Sequence, residues 1–214
     1  MTLNQLARKY NTDKWQHGCL DWYEDAFRRL DKPIEKLLEL GSATGASMRM
    51  WLEYLPQAHI WGIDMDAHSI KFCKDCPPDR LTILHCNFRD LAMREAMLRA
   101  IPWPMDVIID DDGHHPEDQQ SALAVLFPMV RPGGLYVIED MFFSSQYNPK
   151  REAWTTMRMI EAMAARAPWD SLHITPEQRE ILMRDIAKIE VHTNLHKDAK
   201  FAYIFKKTYL EETK

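Results

Sequence analysis

The sequence predicts an α/β chain built on one doubly wound, mainly parallel sheet of seven strands, closed by a C-terminal antiparallel hairpin. Three observations predict it. Short apolar runs alternate with helical patterns between positions 35 and 140, as strand–helix–strand units do. The chain holds only 7 glycines, and Gly41, Gly45, Gly62, Gly113, Gly133 and Gly134 all sit beside those runs, where special loops are needed. Near the end, residues 188–193 and 200–207 are strand-like and joined by a short polar loop, which reads as a hairpin.

The elements follow in order. Residues 35–40 (EKLLEL) are the first strand and lead into Gly41. Residues 45–55 are a helix with Met48, Trp51, Leu52 and Leu55 on one face, stopped by Pro56. Residues 58–64 (AHIWGID) are the second strand. Residues 68–76 are a short helix ended by Pro77-Pro78. Its Cys73 and Cys76 read as small buried thiols, because no second pair follows at zinc-site spacing. Residues 81–86 (LTILHC) are the third strand, and 89–100 a helix. Residues 105–110 (MDVIID) are the fourth strand, apolar as in a sheet covered on both faces. Pro116 opens the next helix at a first-turn position, with Glu117 and Asp118 near the positive end of its dipole. A turn at Pro132-Gly133-Gly134 precedes the fifth strand, 135–139 (LYVIE). Residues 151–166 are a Met-rich helix. Its Met157, Met159 and Met163 stripe is either a core face or a lining for a bound molecule. Asn148-Pro149 is the best internal break and reads as a loop.

Composition narrows the class. Charged residues are 28% and hydrophobic ones 46% of 214 residues, an ordinary globular balance. No apolar run approaches the ~18–20 residues of a membrane helix, and the first ten residues lack the apolar stretch of a signal peptide. A soluble, cytoplasmic protein is expected. The net charge is −5, and no run of basic residues stands out, Arg28-Arg29 and Lys206-Lys207 being pairs, which argues against a nucleic-acid partner.

Ligands of a doubly wound sheet bind outside the carboxyl ends of its strands. The first strand ends in Glu39-Leu40-Gly41-Ser42-Ala43-Thr44-Gly45, an E-x-G-x-x-x-G loop opening a helix. Gly41 permits the tight turn, and Gly45 lets backbone approach a ligand. The second strand ends in Asp64, an acid able to accept from both hydroxyls of a ribose. The third ends at Cys86-Asn87, placed to reach an adenine edge. Together they point to an adenosine-type cofactor. The G-x-x-x-x-G-K-[ST] phosphate loop is absent, and Ala43 stands where the dinucleotide fingerprint has its second glycine. The choice is between a dinucleotide and S-adenosylmethionine, and the terminal hairpin favours the latter. The fourth strand runs into Asp110-Asp111-Asp112-Gly113-His114-His115, and the fifth into Glu139-Asp140. Adjacent parallel strands bring these carboxylates to one edge, as hard oxygen ligands suited to Mg²⁺.

Residues 39–47 (ELGSATGAS), 62–64, 106–119 and 132–140 (PGGLYVIED) resemble class I S-adenosylmethionine-dependent methyltransferases, with their Rossmann-like sheet. The acid–histidine segments and the N-terminal LARKYNTDK are similar to the metal-dependent sugar O-methyltransferases of macrolide and other antibiotic biosynthesis, the mycinamicin-type and rhamnosyl enzymes. The resemblance spans about residues 4–145 and the last strand pair. It does not include the separate N-terminal domain of the larger macrolide enzymes, so their substrate and assembly need not carry over.

What the resemblance implies is specific. Glu39, Gly41, Ser42, Gly45, Asp64 and Asn87 would contact the cofactor. The N-terminal helix with Tyr10, Asp13, Lys14 and His17 would close over it, Asp13 and Lys14 making contacts. Asp111, Glu139 and Asp140 would bind Mg²⁺, and His114 would be the base. The family pattern is Asp-Gly-Ser-His, whereas Asp112 and Gly113 stand here at its second and third positions. A shifted register with Asp112 as ligand and His115 as base therefore stays open. The expected organisation is a single domain over 1–214: an N-terminal helical cap (1–32), a cofactor-binding core (33–145), a helical substrate-side insertion (146–187) and a terminal strand pair (188–209). The expected reaction is methyl transfer to a small-molecule hydroxyl, on a sugar of a glycosylated natural product or polysaccharide. A phenolic or catechol acceptor, a nicotinamide-dependent oxidoreductase and a non-catalytic relative are the alternatives. The oligomeric state is open, a homo-oligomer included.

Overall fold

The computed structural model describes residues 1–141, 154–194 and 199–209. Its strands are β1 Lys36–Leu40, β2 His59–Asp64, β3 Leu81–His85, β4 Met105–Asp110, β5 Val130–Ile138, β6 Ile186–Asn194 and β7 Ala199–Lys206. They form one seven-stranded sheet in the order β3-β2-β1-β4-β5-β7-β6. β1 to β5 pair in parallel, and β7 is antiparallel to both β5 and β6. Strand order reverses between β1 and β4, which makes their carboxyl ends the natural ligand edge.

The helices before the sheet are α1 Leu3–Tyr10, α2 Lys14–His17 and α3 Leu20–Arg28. Thr2 and Gln5 form a reciprocal capping box at the start of α1, satisfying two of its free backbone donors. Then come α4 Ala46–Tyr54, α5 His68–Phe72, α6 Leu91–Ala100, α7 Pro116–Leu126, α8 Thr156–Ala164 and α9 Pro176–Asp185. Two apolar clusters cover the two faces of the sheet. One joins Leu37, Ile109, Leu135 and Val137 to α1, α3 and α4. The other joins Leu38, Ile108, Tyr136 and Ile138 to α7, α8 and α9. This two-sided burial is why β4 reads as continuously apolar.

Two expectations shift. β5 starts at Val130 rather than after the Pro132-Gly133-Gly134 turn, because the turn stays paired. Gly133 N–H donates to Lys207 O at 3.2 Å, and the β4–β5 register slips between Met105 and Val107. α5 ends at Phe72, where Arg49 Nη2 donates to the Phe72 carbonyl at 2.6 Å; Cys73 and Cys76 lie beyond it as free thiols. Within α8, Met159 and Met163 are buried in the core, Met163 also borders a cavity of about 360 Å³ beside β6, and Met157 Sδ accepts from Lys200 Nζ. The Asn148-Pro149 break and the start of the 151–166 helix lie outside the described residues.

Candidate functional site

Period-two alternation aims three acids at one point. Glu39 of β1 is in register with Ile109 of β4, and Ile109 with Val137 of β5. Side chains alternate faces along a strand, so Glu39, Asp111 and Glu139 project to the α1–α4 side. Asp110 turns to the opposite face, where the Tyr136 hydroxyl donates to it at 3.2 Å. Burial and the neighbouring Asp112 charge hold the Asp110 carboxyl well above the usual carboxylate range.

Lys14, from α2, reaches into the acids and is 1% exposed. Its Nζ lies 2.7 Å from Asp111 Oδ2, 2.6 Å from Glu139 Oε1 and 3.6 Å from Glu39 Oε1. The Tyr23 hydroxyl also donates to Glu139 Oε1, and Trp51 Nε1 donates to Glu39 Oε2. Burial opposes the Lys14 charge, but Asp111, Glu139 and Glu39 hold its pKa well above the usual value. Burial pushes Asp111 up to about 7 and Glu139 up to about 8, against the pull of Lys14.

A second group sits at the mouth of this compartment. Ligand atoms of Asp111, His114 and Asp140 all lie within 4.8 Å of one another. His114 and Asp140 have φ of 42° and 52°, left-handed geometry that costs non-glycine residues roughly 1–2 kcal/mol and recurs at functional sites. His17 Nδ1 is 3.6 Å from Asp140 Oδ1. Gln119 Nε2 of α7 donates to the Glu139 carbonyl at 2.9 Å, holding the end of β5. At Gly41, φ is +83° and an added Cβ would lie 2.1 Å from the Asp111 carbonyl oxygen, so any side chain there would displace Asp111.

These residues fit a divalent cation. Three carboxylates, Glu39, Asp111 and Glu139, face the ammonium of Lys14, and Asp140 adds a fourth beside Asp111. Glu39 Oε1 and Glu139 Oε2 are buried without a hydrogen bond, and buried polar oxygens left unbonded are costly. Hard oxygens of this kind suit Mg²⁺.

Two cavities open at the edge. One, of about 410 Å³, runs past Thr12, Asp13, Ser42, Ser47, His114 and Asp140. The other, of about 340 Å³, is lined by Met65, Asn87, Phe88, Asp110, Asp112 and His115. Asp64 ends β2 beside the Gly41–Gly45 loop. Its Oδ2 accepts from Ala43 N–H at 2.6 Å and its Oδ1 from Asp66 N–H at 2.7 Å.

The structure thus brings Asp111, His114 and Asp140 together, sets Gly41, Ser42 and Asp13 along the first cavity, and sets Asn87 in the second. The other four, Glu39, Gly45, Lys14 and Glu139, are buried. Glu39 is sealed beneath Trp51 and Lys14 and lines neither cavity. Gly45 supplies the left-handed turn capping α4, with φ 78°, rather than a cavity wall. Lys14 borders the first cavity, and its ammonium is held by Asp111 and Glu139. Glu139 lies deeper than the three-residue group, bonded to Lys14 and Tyr23. Sequence reasoning missed Tyr23, Trp51 and Tyr136 as partners of these acids; no local pattern marks them.

Comparison with known proteins adds to this geometry. A family model described as a methyltransferase domain matches residues 38–141. The chain is 35% identical over 152 residues to the 8-demethyl-8-(2-methoxy-α-L-rhamnosyl)-tetracenomycin-C 3′-O-methyltransferase of Streptomyces olivaceus, covering 65% of this chain and 37% of that protein. It is 28% identical over 212 residues to the mycinamicin VI 2″-O-methyltransferase of Micromonospora griseorubida, covering 90% of this chain and 51% of that one. The chain thus spans about half or less of the length of these relatives. A crystal structure of the mycinamycin-pathway methyltransferase MycE, in complex with Mg and SAH, superposes with a TM-score of 0.74 at 25% identity, covering 100% of this chain and 57% of that chain.

Proposed function

We propose that this chain, whose residues 38–141 form a methyltransferase domain on a class I methyltransferase sheet, is an S-adenosylmethionine-dependent O-methyltransferase. It acts on a hydroxyl of a small molecule, a sugar of a glycosylated natural product or polysaccharide. The observation that carries the reading is the Asp111–His114–Asp140 group beside a cavity along the Gly41–Ser47 loop. The tetracenomycin and mycinamicin relatives support a glycoside acceptor.

S-adenosylmethionine, when bound, supplies an electrophilic methyl group. A divalent cation, when bound, supplies Lewis acidity toward the acceptor hydroxyl. The chain supplies the rest. Asp64 keeps a free lone pair on each oxygen for ribose hydroxyls while its backbone bonds hold the motif loop. Met65, Asn87 and Phe88 offer an apolar slot with one amide edge, suited to an adenine. Asp111 and Asp140, with Glu139 behind them, would hold the cation. His114 takes the hydroxyl proton onto its imidazole, and the adjacent carboxylates stabilise the imidazolium that forms.

Four free cysteines, Cys19, Cys73, Cys76 and Cys86, support a reducing, cytoplasmic location. Among the described residues no helix is long and apolar enough to cross a membrane. The test is methyl transfer from S-adenosylmethionine to a panel of rhamnosides, other glycosides and catechols, with and without chelator. Mg²⁺-dependent transfer to a glycoside is expected. Transfer that persists in excess chelator, or reaches only catechols, would contradict the reading.

A further inference from the structure

Lys14 occupies oxygens that a cation would need. It sits on α2, whose four residues also include His17, and both side chains point at the acids: Lys14 at Asp111 and Glu139, His17 at Asp140. α2 is fastened by bonds that do not involve the site. Asn194 Nδ2 of β6 donates to the His17 carbonyl at 2.9 Å, and Cys19 Sγ to the Lys14 carbonyl at 3.5 Å. The ammonium is therefore delivered by a fixed element rather than by a surface side chain that has swung in.

We propose that Lys14 acts as the site's built-in cation: it occupies Asp111 and Glu139 oxygens and lowers the affinity of the site for divalent metal. The proposal rests on the metal-dependent reading above and assigns to Lys14 a role opposite to that of a ligand. Two observations carry it. Asp111 gives Oδ2 to Lys14 at 2.7 Å and is also part of the Asp111–His114–Asp140 group, so ammonium and metal share one carboxylate. In addition, Glu39 Oε1 and Glu139 Oε2 stay without donors even with Lys14 in place. One ammonium leaves a negative surplus for a metal, yet repels that metal at short range. Its consequence is an exchangeable metal on a preformed site.

A residue that only supports the fold would weaken metal binding when removed; Lys14 should do the reverse. The experiment is calorimetric titration of Mn²⁺ into the wild type, Lys14→Met, Lys14→Gln and Lys14→Arg, with S-adenosylhomocysteine titrated separately. Loss of a unit charge a few ångströms from the metal should tighten Mn²⁺ binding at least about tenfold in Lys14→Met. Lys14→Gln, which keeps a donor for Asp111, should show the same direction and serves if Lys14→Met does not fold. Lys14→Arg keeps the charge and should bind Mn²⁺ no tighter than the wild type. Equal or weaker Mn²⁺ binding by Lys14→Met or Lys14→Gln, with wild-type binding intact, overturns the role of Lys14 alone. Absence of Mn²⁺ binding in every protein, including the wild type, overturns the metal reading as well.

Discussion

Asp111 and Asp112, adjacent in the chain, open into different cavities. Asp111 faces the larger one together with His114 and Asp140, whereas Asp112 lines the smaller one with Asn87, Phe88 and His115. Gly113, with φ +60° and an added Cβ only 2.5 Å from Asp118 Oδ2, turns the chain between Asp112 in the smaller cavity and His114 in the larger. The geometry therefore favours the Asp111 and His114 register over the shifted one.

Asp64→Ala removes a charged acceptor suited to two ribose hydroxyls, and the anchor of Ala43 N–H. Hydrogen bonds to charged groups contribute about 1.5–3 kcal/mol, so affinity for S-adenosylhomocysteine should fall roughly 10- to 150-fold. Calorimetry reads this directly. Unchanged affinity would remove Asp64 from the cofactor site.

His114→Ala should lower turnover by about 10²–10⁴-fold, the usual contribution of a general base. Binding of S-adenosylhomocysteine and of Mn²⁺ should stay within a few-fold of wild type. Loss of Mn²⁺ binding in the same variant would make His114 a ligand rather than the base.

The N-terminal helices that carry Lys14 are tied to the edge strand by a bidentate pair, Arg29 to Glu190 at 2.7 and 2.6 Å. The hydrogen bonds from Arg29, with Lys188 adding to them, lower the Glu190 carboxyl from 4.5 to about 2. A depressed acid contributes stability that is present above its unfolded pKa and lost as pH falls through the folded one. Solvent screening at this partly exposed pair reduces the effect to about 1 kcal/mol. Glu190→Gln should lower stability by about that much at pH 7, and the difference from wild type should shrink as pH falls from about 4.5 to 2. Chemical denaturation at several pH values measures it; a difference independent of pH would contradict the assignment.

Much of this was legible in the sequence because it is local. Strand β4, Met105–Asp110, is bounded as read, since its apolar run and following acids form one continuous signal. The turn at Pro132-Gly133-Gly134 misled, because Lys207 pairs with it from the far end of the chain. Helix α9 carries a capping box at Thr175 and Gln178, a local signal for its start that the sequence holds. The Lys14 contacts could not be read: they join residues 97 and 125 positions apart, through a helix of 4 residues with no side-chain cap. Tyr23 and Trp51 resemble any core aromatic until the acids they bond are placed beside them.

The most direct measurement of metal-assisted transfer at Asp111 is the Mn²⁺ affinity and turnover of Asp111→Asn beside those of Asp112→Gly. Asp111→Asn should lose most of both, because it removes a carboxylate from the Asp111–His114–Asp140 group. Asp112→Gly should keep both within a few-fold, because its side chain lies in the other cavity. An active, metal-binding Asp111→Asn beside an Asp112→Gly that binds no metal would contradict the site as assigned.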